Sequence, residues 1–152
     1  MPQDLRSFLD QLRALPGELI EIEQPVRPHD FDVTALLKQL DERRSYPAVL
    51  FRQPTDMYDQ PSPFPILTNV YATRARCGLM LGADPATPYR EVSLAYQQRS
   101  HHPFEAVQVA PAAAPVREVV WQGDEADVGR LPIVRHFAMD YGPVLTMSHV
   151  MR

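Results

Sequence analysis

Residues 116–152, VREVVWQGDEADVGRLPIVRHFAMDYGPVLTMSHVMR, carry the most distinctive pattern of the chain, including its only tryptophan, Trp121. The apolar run at residues 116–121 predicts a β-strand, and a second β-type run follows at residues 144–151. An acidic turn at residues 122–125 lies between them. We therefore expect the chain to enter a sheet here, and the residues upstream to form a compact domain that leads to this point.

The composition indicates a folded protein and narrows its class. The 152 residues are 45% hydrophobic, and the net charge of −4 does not favour a nucleic-acid partner. No apolar run approaches the ~20 residues that cross a bilayer, and the charged N-terminal helix is unlike a signal peptide, so we expect a cytoplasmic protein without a membrane partner. The single cysteine, Cys77, argues against an intrachain disulfide and a multi-thiolate zinc site.

Periodicity in the upstream part predicts both helices and strands. Apolar residues at helical spacing predict four helices, at residues 4–15, 33–43, 73–81 and 88–100. Alternating or continuous β-type residues predict three strands, at residues 18–23, 48–51 and 66–71. We expect Asp30 or Asp32 to cap the second helix, and Tyr89, Val92 and Tyr96 to form the buried face of the fourth.

The fold class predicted by this order is α+β, because helices and strands mix without a regular βαβ rhythm. Residues 53–65 hold four prolines and no periodicity, which indicates a loop. Residues 110–115, APAAAP, have the composition of a linker. We therefore predict an N-terminal α+β domain at residues 1–115 and a second, separate segment at residues 116–152.

Residue types that carry catalysis are present but dispersed. The adjacent pair His101-His102 fits a helix end better than a metal site, because neighbouring side chains point in different directions. His136 and His149 could lie on neighbouring strands, although a structural role is favoured, and His29 is interpreted as a surface residue. Cys77, in an apolar stretch, fits a core position better than a nucleophile.

The charged clusters allow two interpretations. The acidic residues at 18–23 and 124–127 could pair for acid–base chemistry, but a solvated strand edge and a solvated turn explain them more simply. Arg74 and Arg76 could hold an anion near a helix start, and a helix with two exposed arginines explains them equally well. The sequence contains no nucleophile elbow, phosphate-binding glycine loop or dinucleotide fingerprint. The residues alone therefore predict no self-contained active site.

Several motifs, in the expected order, resemble those of the UbiD-type decarboxylases. They are VVWQGDEADV at residues 119–128, LPI at 131–133, DYGPVLT at 140–146, GELIEI at 17–22, AVLF at 48–51 and TRARCGLMLG at 73–82. Together they run over nearly the whole chain. The resemblance implies a prenylated-FMN-dependent enzyme that adds or removes CO₂ on aromatic or α,β-unsaturated carboxylic acids, with the flavin as electron sink.

The resemblance also implies a larger organisation. Members of the family are longer, with an N-terminal α+β domain, a split β-barrel that holds the flavin and a C-terminal domain for oligomerisation. We expect residues 116–152 to contain the linker strand and the first strands of that barrel. The family's catalytic Glu-Arg-Glu set has no counterpart in this sequence, nor do its ligands for the divalent metal Mn, beside which K can bind. We therefore expect the 152-residue chain alone to be inactive.

Thr146 is the one position that the resemblance carries over to a site. It matches the threonine of the family's I-T-x-G strand, which lines the flavin pocket, and its hydroxyl could hydrogen-bond the flavin. Threonine is also common on strands for its β-propensity alone, and Ser148 replaces the family's glycine. The resemblance implies a cytoplasmic homo-oligomer that acts on a small carboxylic acid. A non-catalytic assembly subunit and a truncated product are the alternatives.

Overall fold

The computed structural model describes residues 4–102, 105, 107–143 and 145. The α-helices and strands of these residues are α1 (Leu5–Arg13), β1 (Leu19–Ile22), α2 (Asp32–Glu42), β2 (Ala48–Phe51), β3 (Ile66–Thr68), α3 (Arg74–Met80) and α4 (Tyr89–Ser100). Short 3₁₀ turns follow, at Pro111–Ala113, Pro115–Arg117, Gly123–Glu125 and Val128–Arg130. Helices and strands are mixed, which confirms the α+β class.

The first helix begins at a reciprocal cap that the sequence encodes. The Asp4 carboxylate accepts the backbone N–H of Ser7 at 2.7 Å, and the Ser7 hydroxyl accepts the backbone N–H of Asp4 at 3.0 Å. Both groups satisfy donors that the first helical turn leaves free. Gly17, with φ of 79°, then turns the chain towards β1 in a conformation that favours glycine.

The three strands form one sheet in the order β1-β2-β3. β1 and β2 are parallel, with Leu19 opposite Ala48 and Ile22 opposite Phe51. β3 is antiparallel to β2 and places Ile66 opposite Phe51. Parallel neighbours need a crossover connection, and α2 supplies it.

The sheet is covered by α1 on one face and α2 on the other, because successive residues of a strand point to opposite faces. All four residues of the central strand, β2, are buried. The cluster on the α2 side consists of Val26, Val33, Leu40, Val49, Phe51 and Ile66. The cluster on the α1 side consists of Phe8, Leu12 and Ala48.

Two element boundaries differ from the prediction. The residue that caps α2 is Phe31, in the left-handed region at φ of 68°, and it makes no side-chain cap. Capping by Asp30 or Asp32 was wrong, because the Asp32 carboxylate instead accepts the backbone N–H of Arg27 at 2.7 Å and closes the preceding turn. β3 ends at Thr68 since Asn69, at φ of 58°, leaves the extended conformation.

The buried face predicted for α4 was also wrong in part. Only Val92 of this helix is buried, whereas Tyr89 and Tyr96 are 57% and 64% exposed. The helix packs on α3 at Gly78, where an added Cβ would lie 3.2 Å from a methyl group of Val92. Because the contact is so narrow, it buries one residue of α4 and leaves the tyrosines on the surface.

The strand predicted at residues 116–121 was wrong. Pro115–Arg117 is a 3₁₀ turn, and Val119 and Val120 follow it as exposed residues without strand pairing. A β-type run forms a strand only where a neighbouring strand accepts its backbone hydrogen bonds. The second run, residues 144–151, lies outside the described residues except for Leu145, and the division of the chain after residue 115 stays a prediction.

Candidate functional site

The part of the chain with the most distinctive motifs lies as a strap, residues 121–136, across the N-terminal domain. At its start, the ring of Trp121 packs edge-on against Phe64, with ring centroids 5.9 Å apart. The guanidinium of Arg130 lies 5.1 Å from the centroid of the same ring. The single tryptophan is thus held between the proline-rich loop and the strap itself.

The strap contacts a tight turn at residues 56–60 of the proline-rich loop. Asp56, 7% exposed, accepts the backbone N–H groups of Tyr58 at 2.8 Å and Gln60 at 2.9 Å, and so fixes the shape of this turn. The backbone N–H of Met57 donates to the carbonyl of Gly129 at 2.9 Å. Hydrogen bonding to the Asp127 carboxylate raises the pKa of the Tyr58 hydroxyl. A cavity of about 340 Å³ lies beside these groups.

Further along, the strap joins the main core. Ile133 is buried, and Val134 packs against the cluster on the α2 side. The backbone N–H of Arg135 donates to the carbonyl of Pro28 at 3.1 Å. The Arg135 guanidinium lies 5.2 Å from the centroid of the Phe31 ring. The strap therefore crosses the domain where the chain leaves β1 and β2.

A closed loop follows the strap. The Arg135 guanidinium donates to the carbonyls of Ala138 at 2.9 Å and Asp140 at 3.2 Å. In return, the Asp140 carboxylate accepts the backbone N–H groups of His136 at 3.1 Å and Phe137 at 2.9 Å. Two oppositely charged side chains thus satisfy the backbone of one short loop and give it a fixed shape.

The histidines named from sequence do not converge. His101 and His102 are exposed at the end of α4, as predicted. Nδ1 of His136 lies 3.3 Å from the hydroxyl of Thr34, which supports a structural role. The interpretation of His29 as a surface residue was wrong, because only 17% of its side chain is exposed and its Nε2 lies 3.3 Å from the Asp59 carboxylate.

Two residues named from sequence, Thr146 and His149, lie outside the described residues. Cys77 is half-buried and its thiol faces the carbonyl of Tyr71 at 3.7 Å. Within the described ranges, no three His, Cys, Asp or Glu side chains are placed to hold a metal ion. In the same part of the chain, no helix is long and apolar enough to cross a membrane.

Glu21 of β1 and Glu18 just before it are ion-paired, so the interpretation as a solvated edge was wrong for these two residues, whereas Glu23 is exposed as predicted. Glu21 binds the Nε atoms of Arg13 at 2.7 Å and Arg52 at 2.8 Å. These hydrogen bonds, that from Arg13 above all, hold the pKa of the Glu21 carboxyl below its ordinary value. Sequence reasoning missed the pairing because the partners lie eight and 31 positions away.

Of the two interpretations given for Arg76, an anion-binding residue and an exposed one, the exposed one was wrong. Its side chain is 1% exposed and binds the Glu18 carboxylate at 2.6 Å. It also donates to the carbonyls of Val70 at 3.2 Å, Asn69 at 3.1 Å and Tyr46. These acceptors precede β1 and β2 and follow β3. Arg76 therefore joins the three strands at one edge of the sheet, opposite the edge that the strap crosses.

Sequence reasoning also missed the contact between Tyr58 and Gly129. The available signals were local: an aspartate followed by two backbone donors in a proline-rich loop, and a glycine two residues after Asp127, whose carboxylate accepts the Gly129 N–H at 2.8 Å. Neither signal shows that the two turns touch. That information lies only in the tertiary structure.

Comparison with known proteins places this architecture in a family. The family model described as the 3-octaprenyl-4-hydroxybenzoate carboxy-lyase N-terminal domain matches residues 9–95. Among solved structures, the vanillic acid decarboxylase of Sedimentibacter hydroxybenzoicus in closed form is similar, with 26% identity over 90% of this chain and a TM-score of 0.74. Its open form with a truncated ShVdcD gives 28% identity over 88% of this chain and a TM-score of 0.73.

In each of these two structures the match covers 28% of the decarboxylase chain. The present chain therefore spans less than a third of the length of these relatives, and the similarity lies in their N-terminal portion. The matched range contains the whole sheet, α2, α3 and Arg76. The family match and the shared fold show that the chain belongs to the UbiD family of carboxy-lyases and corresponds to the N-terminal domain of its members.

Proposed function

We propose that the chain is the N-terminal part of a prenylated-FMN-dependent enzyme that removes CO₂ from, or adds it to, aromatic or α,β-unsaturated carboxylic acids. The observation that carries the proposal is the family match over residues 9–95, which includes the whole sheet, α2 and the last part of α1. The name of the similar structures, vanillic acid decarboxylase, fits an aromatic acid as substrate.

In this proposal the described residues form the scaffold and not the reaction centre. The carboxylates of Glu18 and Glu21 are paired with arginines, that of Asp140 accepts backbone N–H groups, and no three of the described metal-binding side chains converge. The donor set required by a divalent metal such as Mn, with K beside it, is therefore not met by these residues. We assign no step of the reaction to them, and place the Glu-Arg-Glu set and the metal ligands of the proposed enzyme on other residues.

Thr146 is the residue of this chain that we assign to the cofactor. The assignment rests on its motif, DYGPVLT at residues 140–146, and the closed Arg135–Asp140 loop supports it, because that loop fixes the backbone shortly before Thr146. The proposed split barrel would begin in the same segment. The proposed enzyme is a cytoplasmic homo-oligomer, and its substrate is a small carboxylic acid.

The test is to produce the complete gene product with prenylated FMN and Mn²⁺ and to measure CO₂ release from a panel of aromatic and α,β-unsaturated acids. Incorporation of labelled bicarbonate would report the reverse direction. We expect turnover and a flavin absorbance band from the complete product, and neither from the isolated 152 residues. A complete product that binds no flavin and releases no CO₂ would contradict the proposal.

The Thr146 assignment has its own test in the same protein. Thr146→Val removes the hydroxyl at nearly constant volume, whereas Thr146→Ser retains it. We expect weaker flavin binding for the valine variant and near-normal binding for the serine variant. Equal flavin binding by both variants would remove Thr146 from the site.

A second candidate, a non-catalytic assembly subunit, is favoured by one observation. Several large apolar side chains after residue 106 are almost fully exposed, namely Val107, Val116, Met139 and Tyr141. If these side chains form one contiguous apolar surface in the assembled protein, another protein would cover it. Size-exclusion chromatography of the 152-residue chain distinguishes the candidates, because an assembly subunit should bind a separate catalytic chain, whereas a domain of one longer enzyme should not.

A further inference from the structure

A cleft lies between α1 and the face of the sheet that this helix covers. We call it the α1 cleft, and its cavity has a volume of about 520 Å³. Leu50 of β2 and Leu67 of β3 line it on the sheet side, and Leu5 and Leu9 of α1 line it on the helix side. A largely apolar cavity of this volume has the size of sites that bind small molecules.

The cleft is found where the apolar stripe of α1 is only partly covered. Leu5, Phe8 and Leu12 have the spacing that places side chains on one face of a helix. Phe8 and Leu12 are 2% and 0% exposed, whereas Leu5 is 55% exposed. An apolar group in the cleft would remove the Leu5 side chain from water, which is favourable.

Arginines supply most of the polar part of the cleft. Its lining includes Arg6, Arg13 and Arg52 and one carboxylate, that of Asp10. A second carboxylate, that of Glu21, binds both Arg13 and Arg52. In the part of the chain that the structure describes, no carboxylate lies within ion-pair distance of Arg6. The three guanidinium groups therefore exceed the two carboxylates by one positive charge.

The ion pairs position two of these guanidinium groups and leave some of their donors free. Arg52 donates to Glu21 through Nε and Nη2, and Arg13 donates through Nε to Glu21 and through Nη1 to Asp10. Nη1 of Arg52 and Nη2 of Arg13 have no acceptor among the described residues. Such N–H groups bind carboxylates strongly, and side chains that are already ordered lose less entropy when a ligand binds.

We propose that the α1 cleft binds a small monocarboxylic acid, with its aryl or alkyl part against the leucines and its carboxylate at Arg6, Arg13 and Arg52. One excess positive charge matches one carboxylate, whereas Asp10 and Glu21 would repel a phosphate or a second acid group. The apolar walls favour an acid with a hydrophobic group over a wholly polar one such as acetate. The site rests on the geometry of the described residues and does not depend on the proposed function.

The first test is calorimetric titration of the 152-residue chain with 3-phenylpropanoate and with its neutral counterpart, 3-phenylpropanamide. The acid carries its carboxylate on a saturated carbon, so it is neither an aromatic nor an α,β-unsaturated acid of the reaction proposed above. We expect a dissociation constant of about 0.5 mM for the acid. Binding of the amide should be about tenfold weaker, because a hydrogen bond to a charged group is the stronger one.

Single substitutions locate the binding. Arg52→Gln should weaken binding of the acid by about tenfold, and Arg6→Gln, which removes a more exposed charge, by about threefold. Leu5→Ser should weaken binding of the acid by about threefold through loss of the apolar wall. Arg90→Gln, which replaces an exposed arginine of α4 that does not line the cleft, is the matched control and should have no effect. Arg6 and Leu5 are exposed, so their variants should fold even if Arg52→Gln, which breaks an ion pair, does not.

Three results would overturn the proposal. The first is an acid that does not bind, and the second is an acid and an amide that bind equally well, because the arginines would then have no part in recognition. The third is a control variant, Arg90→Gln, that weakens binding as much as Arg6→Gln does, because the acid would then respond to overall charge and not to the cleft.

The second test repeats the titration with the complete gene product. Binding of 3-phenylpropanoate that Arg6→Gln and Leu5→Ser again weaken would support the site in the whole protein. Loss of this binding would show that another segment fills the cleft, and the proposal would fail. A complete product that binds the acid in the cleft but binds no flavin would contradict the proposed function alone, so the two failures can be told apart.

Discussion

Replacement of Arg76 by methionine is the sharpest test of how the scaffold is held together. Methionine retains the apolar stem and the helix propensity of arginine but has no donor. In the unchanged chain the guanidinium binds the Glu18 carboxylate and the carbonyls of Tyr46, Asn69 and Val70. Arg76→Met therefore removes the guanidinium donors from four acceptors at one edge of the sheet, of which the Asn69 carbonyl retains the backbone N–H of Ala72.

The expected cost follows from burial. Loss of one partner of a buried, hydrogen-bonded ion pair costs about 3–5 kcal/mol. The lower end applies here, because the Glu18 side chain is 30% exposed and its carboxylate can regain water. We therefore expect the free energy of unfolding to fall by about 3 kcal/mol, a large part of the roughly 5–15 kcal/mol typical of a folded domain.

The assay is urea denaturation followed by tryptophan fluorescence and circular dichroism. With a slope of about 1.5 kcal/mol/M, the loss corresponds to a midpoint lower by about 2 M urea. Arg74→Met is the matched control, because Arg74 lies on the same helix and makes only a cation–π contact with Tyr89, 4.2 Å from the ring centroid. That contact contributes about 0.5–1 kcal/mol. Equal midpoints for the two variants would refute the reasoning that Arg76 joins the strands.

Three further outcomes follow from the same structure. Because ion pairing holds the pKa of Glu21 below its ordinary value of 4.5, its stabilisation is present above that pH and is lost as the pH falls through the lower folded value. Glu21→Gln should therefore lower the free energy of unfolding by about 1 kcal/mol at pH 7. It should also reduce the amount by which that free energy falls between pH 7 and acidic pH, measured by urea titration at several pH values. Thr73 accepts the N–H of Arg76 at 3.3 Å and caps α3, so Thr73→Ala should cost about 1 kcal/mol and Thr73→Ser much less, measured by thermal denaturation. Arg76→Met and Ile133→Ala, which truncates a buried side chain of the strap, act at opposite edges of the sheet, so their costs should add to within about 0.5 kcal/mol in a double variant, and a larger coupling would show that the two edges communicate.

The sequence predicted elements whose burial follows from local periodicity. α1 has leucines and phenylalanine at helical spacing, so its inward face was predictable before any partner was known. β2 is a continuous apolar run, and its four residues are buried as a central strand. In both cases the information lies within about ten neighbouring residues, the range over which side-chain direction follows backbone period.

Prediction failed for residues whose burial or pairing depends on partners that are distant in the sequence. The tyrosines of α4 have the spacing of a buried face, but the contact of that helix with α3 at Gly78 buries only Val92 among its described residues. Arg76 has the local context of an exposed residue, and its acceptors lie six to 58 positions away. The valines at residues 119–120 have strand propensity, but no described strand pairs with them. Composition cannot reveal such partners, since they are fixed by tertiary structure.

The two edges of the sheet differ in a way that bears on function. At the edge where β1 and β2 begin, one buried arginine satisfies the backbone and makes the edge a closed structural unit. At the edge where these strands end, the strap supplies the contacts, through backbone atoms of Gly129 and Arg135. The scaffold thus has one edge that a buried arginine stabilises and another that the strap contacts, and in the function we propose the second edge would be the one nearer to the cofactor.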